Sequence, residues 1–196
     1  MVEEQTRRMG VDALKALAHP LRVRLYAELT SYGPATASAL AARLGESSGA
    51  TSYHLRSLEK HGYVREDESR GTARDRWWER VPGPIELADA SVDAAPGARE
   101  ASFLVEAEFA RLENARYASY LARRDGDDPT WARVMQSSSA NLRLTPEELE
   151  ELGDRVNGLI AEYRGRSEED GRRRRVDLTF RGWPVDLAEE REDGGP

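Results

Sequence analysis

The sequence predicts an α+β chain: a mainly α winged helix-turn-helix layout in front, then a small α+β domain behind. Three observations carry this reading. Apolar residues recur at helical spacing between Val11 and His61. The last of those helices ends at a glycine and runs into two short strand patterns joined by a turn. A stretch rich in Pro, Gly, Ala and Asp, residues 82–98, then precedes a second set of helix and strand patterns.

Val11–Ala18 reads as a helix with Leu14 and Leu17 on one side. His19-Pro20 interrupts it, because a residue before proline is sterically pushed out of the helical region. Leu21–Ser31 resumes as a helix, with Leu21, Leu25 and Leu29 spaced i, i+4, i+8. Gly33-Pro34 is punctuation. Thr36 or Ser38 caps a short helix whose Leu40 and Leu44 point inward, and Gly45 closes it.

The helix from Ser48 to His61 has two faces. Thr51, Leu55 and Leu58 form an apolar stripe; Gly49, Ser52, Tyr53, Arg56 and Lys60 lie opposite. After Gly62, Tyr63–Asp67 and Arg74–Val81 read as strands joined around Ser69-Arg70-Gly71-Thr72. The first domain is thus expected over residues 1–81, with 82–98 as a linker.

A second domain is expected over residues 99–186. Arg99–Arg124 is a long helix with Phe103, Ala107, Ala110, Tyr117 and Leu121 on one stripe and Val105, Phe109 and Leu112 off it. A helix apolar on more than one side needs more than one partner. Ala140–Leu144 alternates as a strand, and so do Val176, Leu178 and Phe180. Thr145-Pro146-Glu147-Glu148 is a capping box with proline at the first helical position. Residues 187–196 form an acidic tail, expected to be disordered.

Composition limits the functions available. Net charge is −7, but residues 1–81 hold 13 Lys/Arg against 11 Asp/Glu, and the rest hold 16 against 25. Screening over about 8–10 Å lets a local basic patch act inside an acidic whole. The chain has no cysteine, which excludes disulfides, thiolate metal sites and cysteine nucleophiles. No apolar run approaches the roughly 20 residues that span a bilayer, and Met1–Gly10 lacks a signal-peptide core. A cytoplasmic protein is expected.

Three helices and a hairpin are the layout of a DNA-reading module. Its last helix enters the major groove, where small polar residues at the leading end let the backbone approach the bases. Ser48, Gly49, Ser52 and Tyr53 supply that edge, with His54 at its border. Arg56 has the fork to read guanine or hold phosphate, and Lys60 lies where phosphate is expected. An ordinary solvated helix face would be polar too, so the hairpin decides. Arg70, Thr72, Arg74 and Arg76 flank a tight glycine turn, a pattern suited to a minor groove or to phosphates. Of Trp77 and Trp78, alternation sends one inward as core.

ALAHPLRVRLYAEL, ASALAARLG, SYHLRSLEKHGYV and RGTARDRWWERV together resemble the winged-helix domain of ArsR-type bacterial transcription regulators. The resemblance covers residues 11–81, and the rear half resembles larger members carrying an added C-terminal domain. It implies a homodimer on a two-fold operator of double-stranded DNA, acting as a repressor released by an inducer. The metal-sensing members' cysteine pair is missing, and the histidines are only His19, His54 and His61, so no metal and no cofactor is expected.

Phe103, Tyr117, Tyr120, Trp131, Phe180 and Trp183 form a candidate effector pocket in the rear domain. Aromatics at helical spacing serve as core more often than as ligand walls. No phosphate-cradling glycine loop, His-Glu-x-x-His or nucleophile set stands out, so an enzyme is not expected. Two other readings remain: a small-molecule sensor, or a winged helix used for protein contact.

Overall fold

The computed structural model describes residues 7–70, 76–83, 85–87, 95–165 and 173–185. The elements are β1 (Arg7–Met9), α1 (Val11–Leu17), α2 (Pro20–Tyr32), β2 (Ala35–Thr36), α3 (Ala37–Leu44), α4 (Ser48–Lys60), β3 (Val64–Glu66), β4 (Trp77–Arg80) and β5 (Ile85–Leu87). There follow α5 (Ala98–Arg123), a 3₁₀ turn at Arg124–Gly126, α6 (Pro129–Arg133) and α7 (Pro146–Gly165). No described helix is long and apolar enough to cross a membrane.

Local chemistry sets the helix ends. His19 Nδ1 accepts from the Leu21 N–H at 3.2 Å and so caps α2, one residue before its proline. Thr36 Oγ1 accepts from Ala39 N–H at the start of α3, and Ser47 Oγ from Ala50 N–H at the start of α4. Gly45 ends α3 in the left-handed region at φ 68°, which a β-carbon would strain.

β4 lies between its two antiparallel neighbours. Ala35 and Thr36 of β2 pair Trp78 and Trp77, while Val64, Arg65 and Glu66 of β3 pair Arg80, Glu79 and Trp78. The hairpin matches expectation; β2 was not anticipated. Trp78 is the inward tryptophan, at 2% exposure, in the same core as fully buried Tyr63. β1 and β5 form a separate parallel pair, Arg7 opposite Ile85, so the expected linker contains a strand.

The chain divides into two compact units, Met1–Gly126 and Asp127–Pro196. This differs from the expected boundary at 82–98, because α5 packs on α1 and α2 and belongs to the first unit. Ala98, Ala101 and Val105 are buried in one core with Leu14, Leu17, Leu25 and Tyr26, and Phe109 meets the edge of Tyr26 at 6.4 Å. The residues read as off the stripe are the packed ones. Phe103, read as part of the stripe, is 70% exposed.

In the second unit α7 begins with the expected reciprocal cap. Thr145 Oγ1 accepts from Glu148 N–H, and Thr145 N–H donates to Glu148 Oε2 at 2.8 Å. The expected strands at 140–144 and 176–180 are absent: both stretches lie in runs without helix, turn or ladder. Alternation provides a face but not a partner strand, and a lone strand leaves its backbone groups without a ladder. The expected tail at 187–196 lies outside the described residues.

Candidate nucleic-acid interface

α4 is seated by its inner stripe. Thr51, Leu55 and Leu58 are each 0% exposed, and they pack the helix onto the core shared with α2 and α3. From α2, Arg22 Nη1 donates to Ser57 Oγ at 3.0 Å, and His61 Nδ1 lies 2.8 Å from the Ser57 carbonyl at the helix end. Behind the turn, Arg24 donates to the Leu44 carbonyl at 2.8 Å and pairs Glu46 at 3.3 Å. These contacts hold α3, the turn and α4 as one piece.

The outward face is where spacing placed it. Ser48, Gly49, Tyr53, Arg56 and Lys60 are exposed, Tyr53 by 68%, and Ser52 is half-buried. Nothing lies within 4 Å of a β-carbon built on Gly49, so the core does not require a glycine there. Backbone N–H groups at a helix start suit an anion, and a bare surface lets one come close.

His54 is turned off this face. Its ring lies 4.4 Å from that of His19 and 5.2 Å from Tyr53. Its buried Nδ1 has no hydrogen-bond partner. Burial first, then the charges of His19 and Arg22, hold its pKa below the usual imidazole value, and Glu46 opposes them. The ring therefore stays neutral at neutral pH and supplies no charge to phosphate. Burial also lowers the Arg22 pKa.

In the hairpin, Arg70 pairs Asp67 at 3.1 Å and Arg76 pairs Glu66 at 3.7 Å, both arginines being more than half exposed. The Ser69 hydroxyl, its N–H and Arg70 hold the Asp67 carboxyl below its usual range. Arg65 pairs Glu79 across the ladder at 2.6 Å. Thr72 and Arg74 lie outside the described residues.

The six candidate effector residues fall in different units. Phe103, Tyr117 and Tyr120 sit on α5 in the first; Trp131, Phe180 and Trp183 belong to the second, where Arg174 stacks over Trp131 at 5.4 Å. A groove of about 220 Å³ between α2 and α5 is lined by Arg24, Tyr32, Leu44, Leu112 and Arg116, and by none of the six. It is smaller than the ~300–1,000 Å³ usual for small-molecule sites. Among the described residues no three His, Asp or Glu side chains group as a metal site would need.

Sequence reasoning missed the Arg22–Ser57 tie and the His19–His54 contact. Both join α2 to α4 across long sequence separations, and the only local hint was His19 at a helix start.

Residues 17–67 match the family model described as a helix-turn-helix domain. Among solved structures the chain is similar to AntR, an antimony-specific transcriptional repressor, at 20% identity over 55% of this chain and 79% of that one, with a TM-score of 0.36. A possible transcriptional regulator for arsenical resistance is 29% identical over 55% of this chain and 94% of that one, with a TM-score of 0.33. An ArsR family transcriptional regulator is 23% identical over 54% and 89%, with a TM-score of 0.31. No curated protein matches. Motif spacing, observed fold and family match agree on the front of the chain: residues 17–67 match a helix-turn-helix domain, and the β3–β4 hairpin follows its last helix.

Proposed function

We propose that this chain is a sequence-specific regulator that binds double-stranded DNA as a homodimer and represses transcription from a two-fold operator. In this reading α4 enters the major groove. Ser48, Gly49, Ser52 and Tyr53 approach the bases, Arg56 reads a base, and Lys60 with Arg70, Arg74 and Arg76 holds phosphates. The observation that carries it is the exposed, small-to-basic face of α4 on a helix whose opposite side is wholly buried. A face that reads bases must be both bare and rigidly held.

The test is fluorescence anisotropy with duplexes tiled across the chain's own promoter region at about 0.15 M salt. Binding to one duplex at least a thousandfold tighter than to random DNA supports the reading, since specific sites exceed non-specific ones by about 10³–10⁷. Equal affinity for all duplexes, or none at micromolar protein, overturns it.

A further inference from the structure

Nitrogen-bearing side chains cluster where α2 crosses α4. Arg22 reaches from α2 to donate from Nη1 to Ser57 Oγ at 3.0 Å. One turn earlier on the chain, the His19 ring lies 4.4 Å from that of His54. Tyr53 stands edge-on to His54 at 5.2 Å and is itself exposed on the outward face of α4. Two atoms of the cluster, Arg22 Nε and His54 Nδ1, are buried with no hydrogen-bond partner among the described residues. Burial, then the charges of His19 and Arg22 on α2, disfavour a proton on the His54 ring, and Glu46 in the turn before α4 favours one. Glu46 is already engaged by Arg24 at 3.3 Å. α1, α3 and β3 also pack on α4, and among the described residues no charged group of theirs acts on the ring.

We infer that His19, Arg22 and His54 form a latch that fixes the roll of α4, and that a proton on His54 opens it, so that acid releases the operator while the chain stays folded. This rests on the DNA reading above. The neutral ring fits between His19 and Arg22. A protonated ring puts a second cation beside the Arg22 guanidinium, in a site partly screened from water, with no acceptor at Nδ1. His54 belongs to α4 itself, so the ring leaves the cluster by turning the helix. Tyr53 is the adjacent residue and Arg56 lies two further on, so the outward face turns with it. The sign is opposite to that of a histidine on a DNA face. There an imidazolium would attract phosphate, and acid would tighten binding.

The test measures anisotropy of the full chain on its tightest duplex at pH 7.5 and pH 5.5, with circular dichroism to show that the helices persist at both. The wild type is expected to bind roughly three- to tenfold more weakly at pH 5.5. His54→Gln, which cannot take up a proton, should show equal affinity at the two pH values. Unchanged or tighter binding by the wild type in acid, or the same loss in His54→Gln, overturns the latch. Arg22→Met is expected to weaken binding at pH 7.5 and to leave the salt slope unchanged, because Arg22 acts through Ser57 and His54. A salt slope smaller by about one would make Arg22 a phosphate contact and overturn its place in the latch. A measurement without DNA separates this inference from the DNA reading. In NMR spectra the amide of Gly49, five residues ahead of the ring, should shift as His54 titrates and stay still in His54→Gln. A still amide in the wild type overturns the latch whatever the duplexes do. A moving amide in a chain that binds no duplex at pH 7.5 overturns the DNA reading and upholds the latch on α4.

Discussion

The ring of His54 lies 4.4 Å from that of His19, centroid to centroid, tilted by 36°. One imidazole begins α2 and the other comes from the second turn of α4, so the contact joins the two helices. Protonating His54 places a cation in a partly buried site beside His19 and Arg22.

The sign of the resulting pH dependence follows from the lowered pKa of His54. Unfolded, the group binds its proton near pH 6.5, and folded only at lower pH, so the unfolded state holds more protons between the two values. Stability is therefore full above about pH 6.5 and declines as pH falls toward the folded value. Urea midpoints for the wild type are expected to fall between pH 7.5 and 5.5. His54→Gln should remove most of that slope; an unchanged slope would show that another group sets it.

Thr51 carries a second internal polar atom. Its side chain is 0% exposed, and its Oγ1 has no hydrogen-bond partner. An unpaired buried hydroxyl costs about 1–3 kcal/mol. Thr51→Val keeps the shape and removes the hydroxyl, so it is expected to stabilise the chain by about 1 kcal/mol in urea unfolding. Operator affinity should not change, because the side chain is buried away from the α4 face proposed to meet DNA. Destabilisation would mean that the hydroxyl has a partner after all.

What was readable in the sequence was local. His19-Pro20, Thr36, Gly45 and the Thr145 box announce helix ends through chemistry within a few residues, and the ends fall there. The outward set Gly49, Tyr53, Arg56 and Lys60 followed from helical period alone. What failed depended on distant chain. α5 is apolar on two sides, so period could not say whether Val105 or Phe103 meets the core; α1 and α2 decide that. β2 is two residues long and exists only because Trp77 and Trp78 offer it an edge. His54 was read as bordering the outer face because nothing nearby reveals that His19 and Arg22 wait behind it.

Gly49 separates fold from function on α4. In a helix glycine costs up to about 1 kcal/mol relative to alanine, and open space surrounds this one. Gly49→Ala is expected to leave the melting temperature equal or higher while weakening operator binding, because in the proposed complex the methyl stands where a base edge or phosphate approaches. If affinity is unchanged, the leading end of α4 is not in close contact with DNA.

Arg56 distinguishes reading from holding. It is exposed, near the middle of the outward face, and lies one turn beyond Ser52 and Tyr53. Arg56→Ala is expected to weaken operator binding by about 1–3 kcal/mol and random DNA much less, if the guanidinium contacts a base. Equal losses on both, with a smaller salt slope, would assign it to phosphate.

The packed side of α5 can be tested by two substitutions on one helix. Val105 is 0% exposed between α5 and the core shared with α1 and α2, whereas Phe103, two residues earlier, is 70% exposed. Removing two methyl groups from a filled site loses their transfer energy and leaves a cavity, so Val105→Ala is expected to cost about 2 kcal/mol. Phe103→Ala deletes a larger side chain from an exposed position and should cost under about 0.5 kcal/mol. The larger deletion is thus expected to have the smaller effect. Urea unfolding of the purified variants checks the order. A reversed order, with Phe103→Ala the more damaging, would mean that α5 docks by the face first suggested by its Phe103–Tyr117–Leu121 stripe, and that the long helix does not belong to the core of the first unit.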